Sequence, residues 1–196
     1  MRQGRRSPEN LICGNSAVEE ERGPAGRAYF RGMTLQELPG RARLWVHVAD
    51  RELTAAEQGA LVRQLNDFLV GWSAHGAPLV AAGTVMYDRV LVVGLDEERA
   101  GATGCSIDKL VGFVRAHGEA AQVDWFDRHQ VLWRQPGEEA WRSTRTAEFW
   151  ALRKAGVVTA ESEVVDGLAA TVDAAQGPKG WLVRRFDESW HSAMWE

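Results

Sequence analysis

The sequence predicts an α+β protein. A two-layer sandwich, with two helices on one face of an antiparallel sheet, is followed by a C-terminal extension. Three observations predict it. Two amphipathic helical stripes each follow a β-prone run. Two adjacent apolar runs are separated only by Tyr87-Asp88-Arg89, as in a hairpin. No spacing requires the long crossovers of a parallel, doubly wound sheet.

The elements follow in order. LWVHVAD (44–50) alternates Leu44, Val46 and Val48 against Trp45, His47 and Ala49, the period of a strand. Thr54-Ala55-Ala56-Glu57 is a capping box, and Leu61, Leu65, Phe68, Leu69 and Trp72 recur at helical spacing. His75-Gly76 then predicts a left-handed helix stop, giving a first helix over about 54–75. The runs 79–86 and 90–95 make the hairpin. Ser106 is read as the N-cap of a second helix, with Asp108 in its first turn and an apolar stripe through Ile107, Leu110, Val111, Phe113 and Val114. VDWFDRHQVLWR (123–134) reads as the fourth strand before Pro136-Gly137. The order βαββαβ is that of a ferredoxin-like sandwich, placed over 44–137. In 138–196, EAWRST is read as a fifth strand pairing back. A short helix starts at Thr146 and stops at Gly156, and a helical turn falls near 172–176. The chain ends with Trp190, His191 and Trp195 close together. This segment is read as an extension packed on the sandwich.

Composition bounds the function. The 196 residues are 45% hydrophobic, with a net charge of −4. Residues 1–43 hold eight arginines, five glutamates and no lysine, so 44–196 carries the acidic excess. The stretch 1–43 is read as a mostly disordered Arg/Gly-rich tail, with Met33 as an alternative start of the protein. The acidic remainder disfavours a nucleic-acid partner. Cys13 and Cys105 make no disulfide framework and no C-x-x-C pattern. No apolar run reaches the roughly 20 residues of a bilayer span. The tail has no secretory apolar core either, so a cytoplasmic protein is expected.

One constellation carries chemistry. Chain order predicts that the His75-Gly76 junction and the loop GATGCSID lie on one edge of the sheet. Gly101, Gly104, Cys105 and Ser106 lead into a helix N-terminus, where free N–H groups and the dipole favour an anion or a thiolate. This admits two functions, beside a third reading of the chain as a scaffold whose C-terminal aromatic extension docks a partner. In the first, the chain is a binding module for a small anionic ligand or a partner, its site formed by Gly76, Asp96, Thr103, Gly104 and Ser106. In the second, Cys105 is the nucleophile of a hydrolase, acyl-transfer or thiol enzyme. His75 or His191 is then its base, and Asp108 or Asp96 the orienting carboxylate. Each residue also has a plain structural reading: Cys105 as a packed thiol, His75 as a helix-end residue, His191 as a packed ring, Asp127-Arg128 as a structural ion pair or a hydrogen bond to a neighbouring loop, and the tryptophans as core and extension packing. No metal site is expected, because the five histidines show no i, i+4 pair and no H-E-x-x-H. The phosphate loop G-x-x-x-x-G-K-[ST] is also missing.

The segments ADRELT, WSAHGAPL, RVLVVGLDE, ATGCSIDKLVGFV, FDR and a terminal SWH, in that order, resemble a family of small bacterial proteins. Its members often carry the label ABC transporter ATPase. The resemblance covers about 44–192, and its His-Gly and Gly-Cys-Ser-Ile-Asp elements are the most specific. It brings no residue roles, and without a phosphate loop ATPase activity is disfavoured. Thr103 stands where the family pattern has serine, which keeps a hydroxyl.

Overall fold

A computed structural model describes residues 33–194. Cys13, the rest of the first 32 residues and Trp195 lie outside the described residues.

β1 (Arg43–Val48) leads into α1 (Ala55–Gly71). The capping box forms: the Thr54 hydroxyl accepts from the Glu57 N–H at 3.3 Å, and the Glu57 carboxylate accepts from the Thr54 N–H at 2.8 Å. The helix ends four residues earlier than expected. Residues 73–78 form a small hairpin instead, β2 (Ser73–Ala74) and β3 (Ala77–Pro78). His75 (φ 50°) and Gly76 (φ 83°) are its two-residue turn. Positive φ at both positions belongs to a primed hairpin turn as much as to a helix stop. β4 (Val80–Met86) and β5 (Val90–Asp96) form the expected hairpin, and α2 (Gly104–Ala121) follows.

The first sheet has the order β1-β5-β4, all antiparallel. Strand, helix, strand, strand, helix therefore follow the expected sequence. The fourth strand departs from it. β6 (Gln130–Arg134) does not lie beside β1. It pairs with β7 (Arg142–Arg145) and β8 (Glu163–Val165), and β9 (Val183–Arg185) completes a second sheet of order β7-β6-β8-β9. The ferredoxin-like closure by a fourth strand is thus not made, and the protein is α+β with two main antiparallel sheets. The reason lies in β6 itself. Val131 and Trp133 point to one face and Leu132 to the other, and all three are buried, so the strand needs cover on both sides.

The alternation along β5 shows how the layers stack. Leu91, Val93 and Leu95 join Leu61, Leu65 and Leu69 of α1 and Leu110 and Val114 of α2 in one core. Val90 and Val92 face the opposite way and meet Leu132 and Val165 of the second sheet. Val131, Trp133 and Val164 turn from that sheet to Phe149 of α3 (Thr146–Lys154) and to Phe186. The result is helices, sheet, sheet, helix. Each fully buried Val or Leu contributes about 1.5–3 kcal/mol of apolar burial before chain entropy is charged.

Two boundaries change accordingly. Residues 138–194 do more than wrap the sandwich: they supply three of the four strands of the second sheet, plus α4 (Val172–Ala175) and α5 (Trp190–Ala193). Residues 34–42, assigned from sequence to the tail, are part of the fold. A 3-10 turn at Leu35–Glu37 places Leu35, Leu38 and Ala42 in the inter-sheet core. Gly94 makes room for them, since a Cβ there would lie 2.5 Å from the Leu38 side chain. Composition hid this, because few large apolar residues anchor a segment otherwise rich in Arg, Gly and Pro.

Candidate functional site

The α2 N-terminus is more self-contained than the sequence suggests. Thr103, not Ser106, is the N-cap. Its hydroxyl accepts from the Ser106 N–H at 3.2 Å, and Ser106 Oγ accepts from the Thr103 N–H at 2.8 Å. Ser106 takes the place that Glu or Gln holds in a capping box. Its hydroxyl also donates to the Thr103 carbonyl at 2.9 Å, and the residue is 1% exposed. Asp108 therefore lies beyond the first turn and is exposed.

The hairpin carrying His75 and this helix are neighbours. Trp72 donates its indole N–H to the Ser106 carbonyl at 2.8 Å, and β2 packs against α2. No hydrogen bond joins their side chains, however. His75 and Gly76 are exposed at the hairpin tip, and Gly104 and Cys105 are exposed on the helix. Cys105 has no hydrogen bond to His75, His191 or any other described residue. Asp96, buried at the end of β5, accepts from the Glu98 N–H at 3.2 Å and lines a separate shallow cleft with Arg41 and Arg99. Among the described residues, no three His, Cys, Asp or Glu side chains cluster as a metal site.

His191 belongs to a different place. A cavity of about 550 Å³ lies between the two sheets. It is bounded by Val46, His47 and Val48 of β1, Val111 of α2, the segment 125–128, Leu132 and Val165 of the second sheet, and Trp190-His191 of α5. This volume falls in the range of small-ligand pockets. The FDR and SWH segments, some 60 residues apart, meet in its wall.

Each polar group there has a definite state. His191 is 3% exposed, stacked on Trp190 with centroids 3.8 Å apart. Burial pushes it down to about 4, so the ring is neutral at pH 7. Its Nδ1 and the Trp190 indole nitrogen are both buried with no hydrogen-bond partner among the described residues. Burial also lowers His47, against a hydrogen bond to the Trp125 backbone that raises it. Trp125 is fixed by its indole N–H, which donates to His117 Nδ1 of α2 at 3.1 Å. Of the two structural readings of Asp127-Arg128, the ion pair is not formed between them, and Asp127 is instead held by hydrogen bonds to its neighbours. Its carboxylate accepts from the His129 N–H at 3.0 Å and from Gln130 at 3.0 Å, and it faces Arg145 at 3.6 Å. Those bonds hold it below the usual carboxylate range. The Arg128 guanidinium is left with no ion pair or hydrogen bond among the described residues.

The backbone of β1 completes the wall. Alternate residues of a strand turn their N–H and C=O to opposite sides. On the side away from β5, Leu44 N–H donates to the Ala170 carbonyl at 2.9 Å, and Asp50 N–H donates to the Asp124 carbonyl at 3.2 Å. Val46 and Val48 share that parity, so their N–H and C=O groups also point away from β5. Among the described residues nothing pairs with them there. Three consecutive residues line the cavity because the open edge of the strand faces it.

Sequence reasoning singled out His191 and missed His47, Arg128 and Trp190 as its companions. The available signal was the FDR and SWH segments themselves, whose meeting depends on where β6 goes. No protein-family model, curated protein or solved structure matches the chain.

Proposed function

We propose that the protein is a binding module whose ligand occupies the inter-sheet cavity along β1. One observation carries this reading: among the described residues no strand pairs with the outer edge of Val46 and Val48, which borders a cavity of about 550 Å³. An open edge beside apolar walls is a liability unless something covers it. The strand order β1-β5-β4 supports a further view, that this region is a ferredoxin-like unit whose fourth-strand position has become the site. The ligand has an apolar body, for Val111, Leu132 and Val165, and an anionic group, for the free Arg128 guanidinium. The neutral imidazoles of His47 and His191 add hydrogen-bonding capacity without charge.

This reading moves the anion site from Gly76, Thr103, Gly104 and Ser106 to Arg128. It is preferred over cysteine catalysis because Cys105 makes no hydrogen bond to a base among the described residues.

The test is amide-shift mapping by NMR with 4-phenylbutyrate as probe. Expected are saturable shifts at Val46, Val48, Val111 and Leu132, abolished in Val111→Phe. Shifts confined to residues 103–108 would return the site to the α2 N-terminus and reject this proposal.

A further inference from the structure

The open edge specifies more than a pocket. We propose that the occupant is a short extended peptide ending in a free carboxylate, which adds to β1 as a strand and places an apolar side chain in the cavity; this rests on the cavity being the binding site. Three independent features converge on it.

The first is the edge itself. Leu44 and Asp50 are paired outward, and the gap between them is six residue steps, roughly 20 Å at strand spacing. Val46 and Val48 offer two donors and two acceptors at the period of a β-ladder. A purely apolar ligand would leave those groups unpaired, whereas a peptide backbone pairs with all of them. A small acid could satisfy one or two.

The second is the wall. Side chains of an added strand alternate between its faces, so only every second one enters the cavity. Leu132 and Val165, with the ring of Trp190, form an apolar receptacle for such a side chain. Phe126, 41% exposed, and Leu168, 68% exposed, extend the apolar surface at the same cavity.

The third is charge. Among the described residues Arg128 is the one cation lining this cavity, and it pairs with no carboxylate there, Asp127 being committed to the His129 N–H and Gln130. A peptide C-terminus supplies the missing anion, and a guanidinium is suited to hold it by two parallel hydrogen bonds.

The experiment uses the full chain and four probes in fluorescence-polarisation titrations: an acetylated tetrapeptide ending in phenylalanine, its C-terminal amide, its analogue N-methylated at the second peptide bond, and 4-phenylbutyrate as competitor. Expected is saturable binding of the tetrapeptide acid, at least tenfold weaker for the amide and for the N-methyl analogue. Arg128→Ala should weaken the acid about tenfold and leave the amide unchanged. Competition by 4-phenylbutyrate should be complete. If 4-phenylbutyrate binds in the cavity while the peptide acid binds no better than its N-methyl analogue, strand addition is overturned and the cavity reading survives. If neither binds, both fail. Equal binding of acid and amide would overturn the carboxylate assignment.

Discussion

Trp190 and His191 stack with their ring centroids 3.8 Å apart and their planes inclined by 24°, and the buried His191 Nδ1 has no hydrogen-bond partner among the described residues. Protonation would place a charge there without compensation. The folded pKa, about 4, lies below the 6.5 of an unperturbed histidine. Between those values the unfolded chain binds the proton and the folded chain does not, so this residue's contribution to stability falls as pH falls. The loss starts near pH 6.5, amounts to about 3 kcal/mol by pH 4, and then levels off. His191→Phe keeps a ring against Trp190 and removes the proton site. Urea denaturation from pH 7 to 4 should give a shallower decline for the variant. Parallel declines would assign the acid sensitivity to other groups.

Leu38 is 4% exposed over the inter-sheet core, in a segment that composition alone assigns to a tail. Leu38→Ala should cost about 2–5 kcal/mol in equilibrium unfolding, the range of a buried leucine truncation. Gly94→Ala should also destabilise, by about 1–3 kcal/mol, because its Cβ would collide with Leu38 and Leu35. In the double variant the two costs should not add, since truncating Leu38 frees the space that the new methyl needs. Strict additivity would mean that the segment is not packed on Gly94.

Arg134 Nε donates to Glu163 at 2.6 Å, joining β6 to β8 inside the second sheet, with Glu163 only 5% exposed. Glu163→Ala leaves that guanidinium without its main partner and should cost about 3 kcal/mol. The exposed pair Arg185–Asp187 gives the contrast: Asp187→Ala should cost under about 1 kcal/mol. Thermal and urea unfolding of the two variants compares them directly.

Trp72 and Cys105 separate structure from chemistry at the α2 N-terminus. Trp72 is 1% exposed and ties α1 to α2 through the Ser106 carbonyl, so Trp72→Phe should cost about 1–3 kcal/mol. Cys105 is exposed, and Cys105→Ser should change stability by less than about 0.5 kcal/mol. It should also leave 4-phenylbutyrate binding intact. Loss of binding in that variant would revive a role for the thiol.

Local signals read well from this sequence, and long-range ones did not. The Thr54–Glu57 capping box, the leucine stripe of α1, the hairpin around Tyr87-Asp88 and the pairing back of EAWRST as β7 are each set by neighbours in the chain. The destination of β6 is not, because an apolar strand fits a sheet centre anywhere. A clue lay in β5: Val90 through Val93 have no polar alternation, so its sheet needed cover on both faces, and two helices supply only one. The same gap hid the cavity. His191 reads as a base for Cys105 on residue type alone, and Arg128 reads as a partner for Asp127 because the two are adjacent in the chain.

Amide hydrogen exchange along β1 is the most direct test of the open edge. Trp45 and His47 direct their amides toward β5, whereas Val46 and Val48 direct theirs into the cavity. Slow exchange is expected at Trp45 and His47 and fast exchange at Val46 and Val48, with the fast pair slowed when the tetrapeptide acid is added. Equal protection of all four amides in the free protein would contradict the open edge.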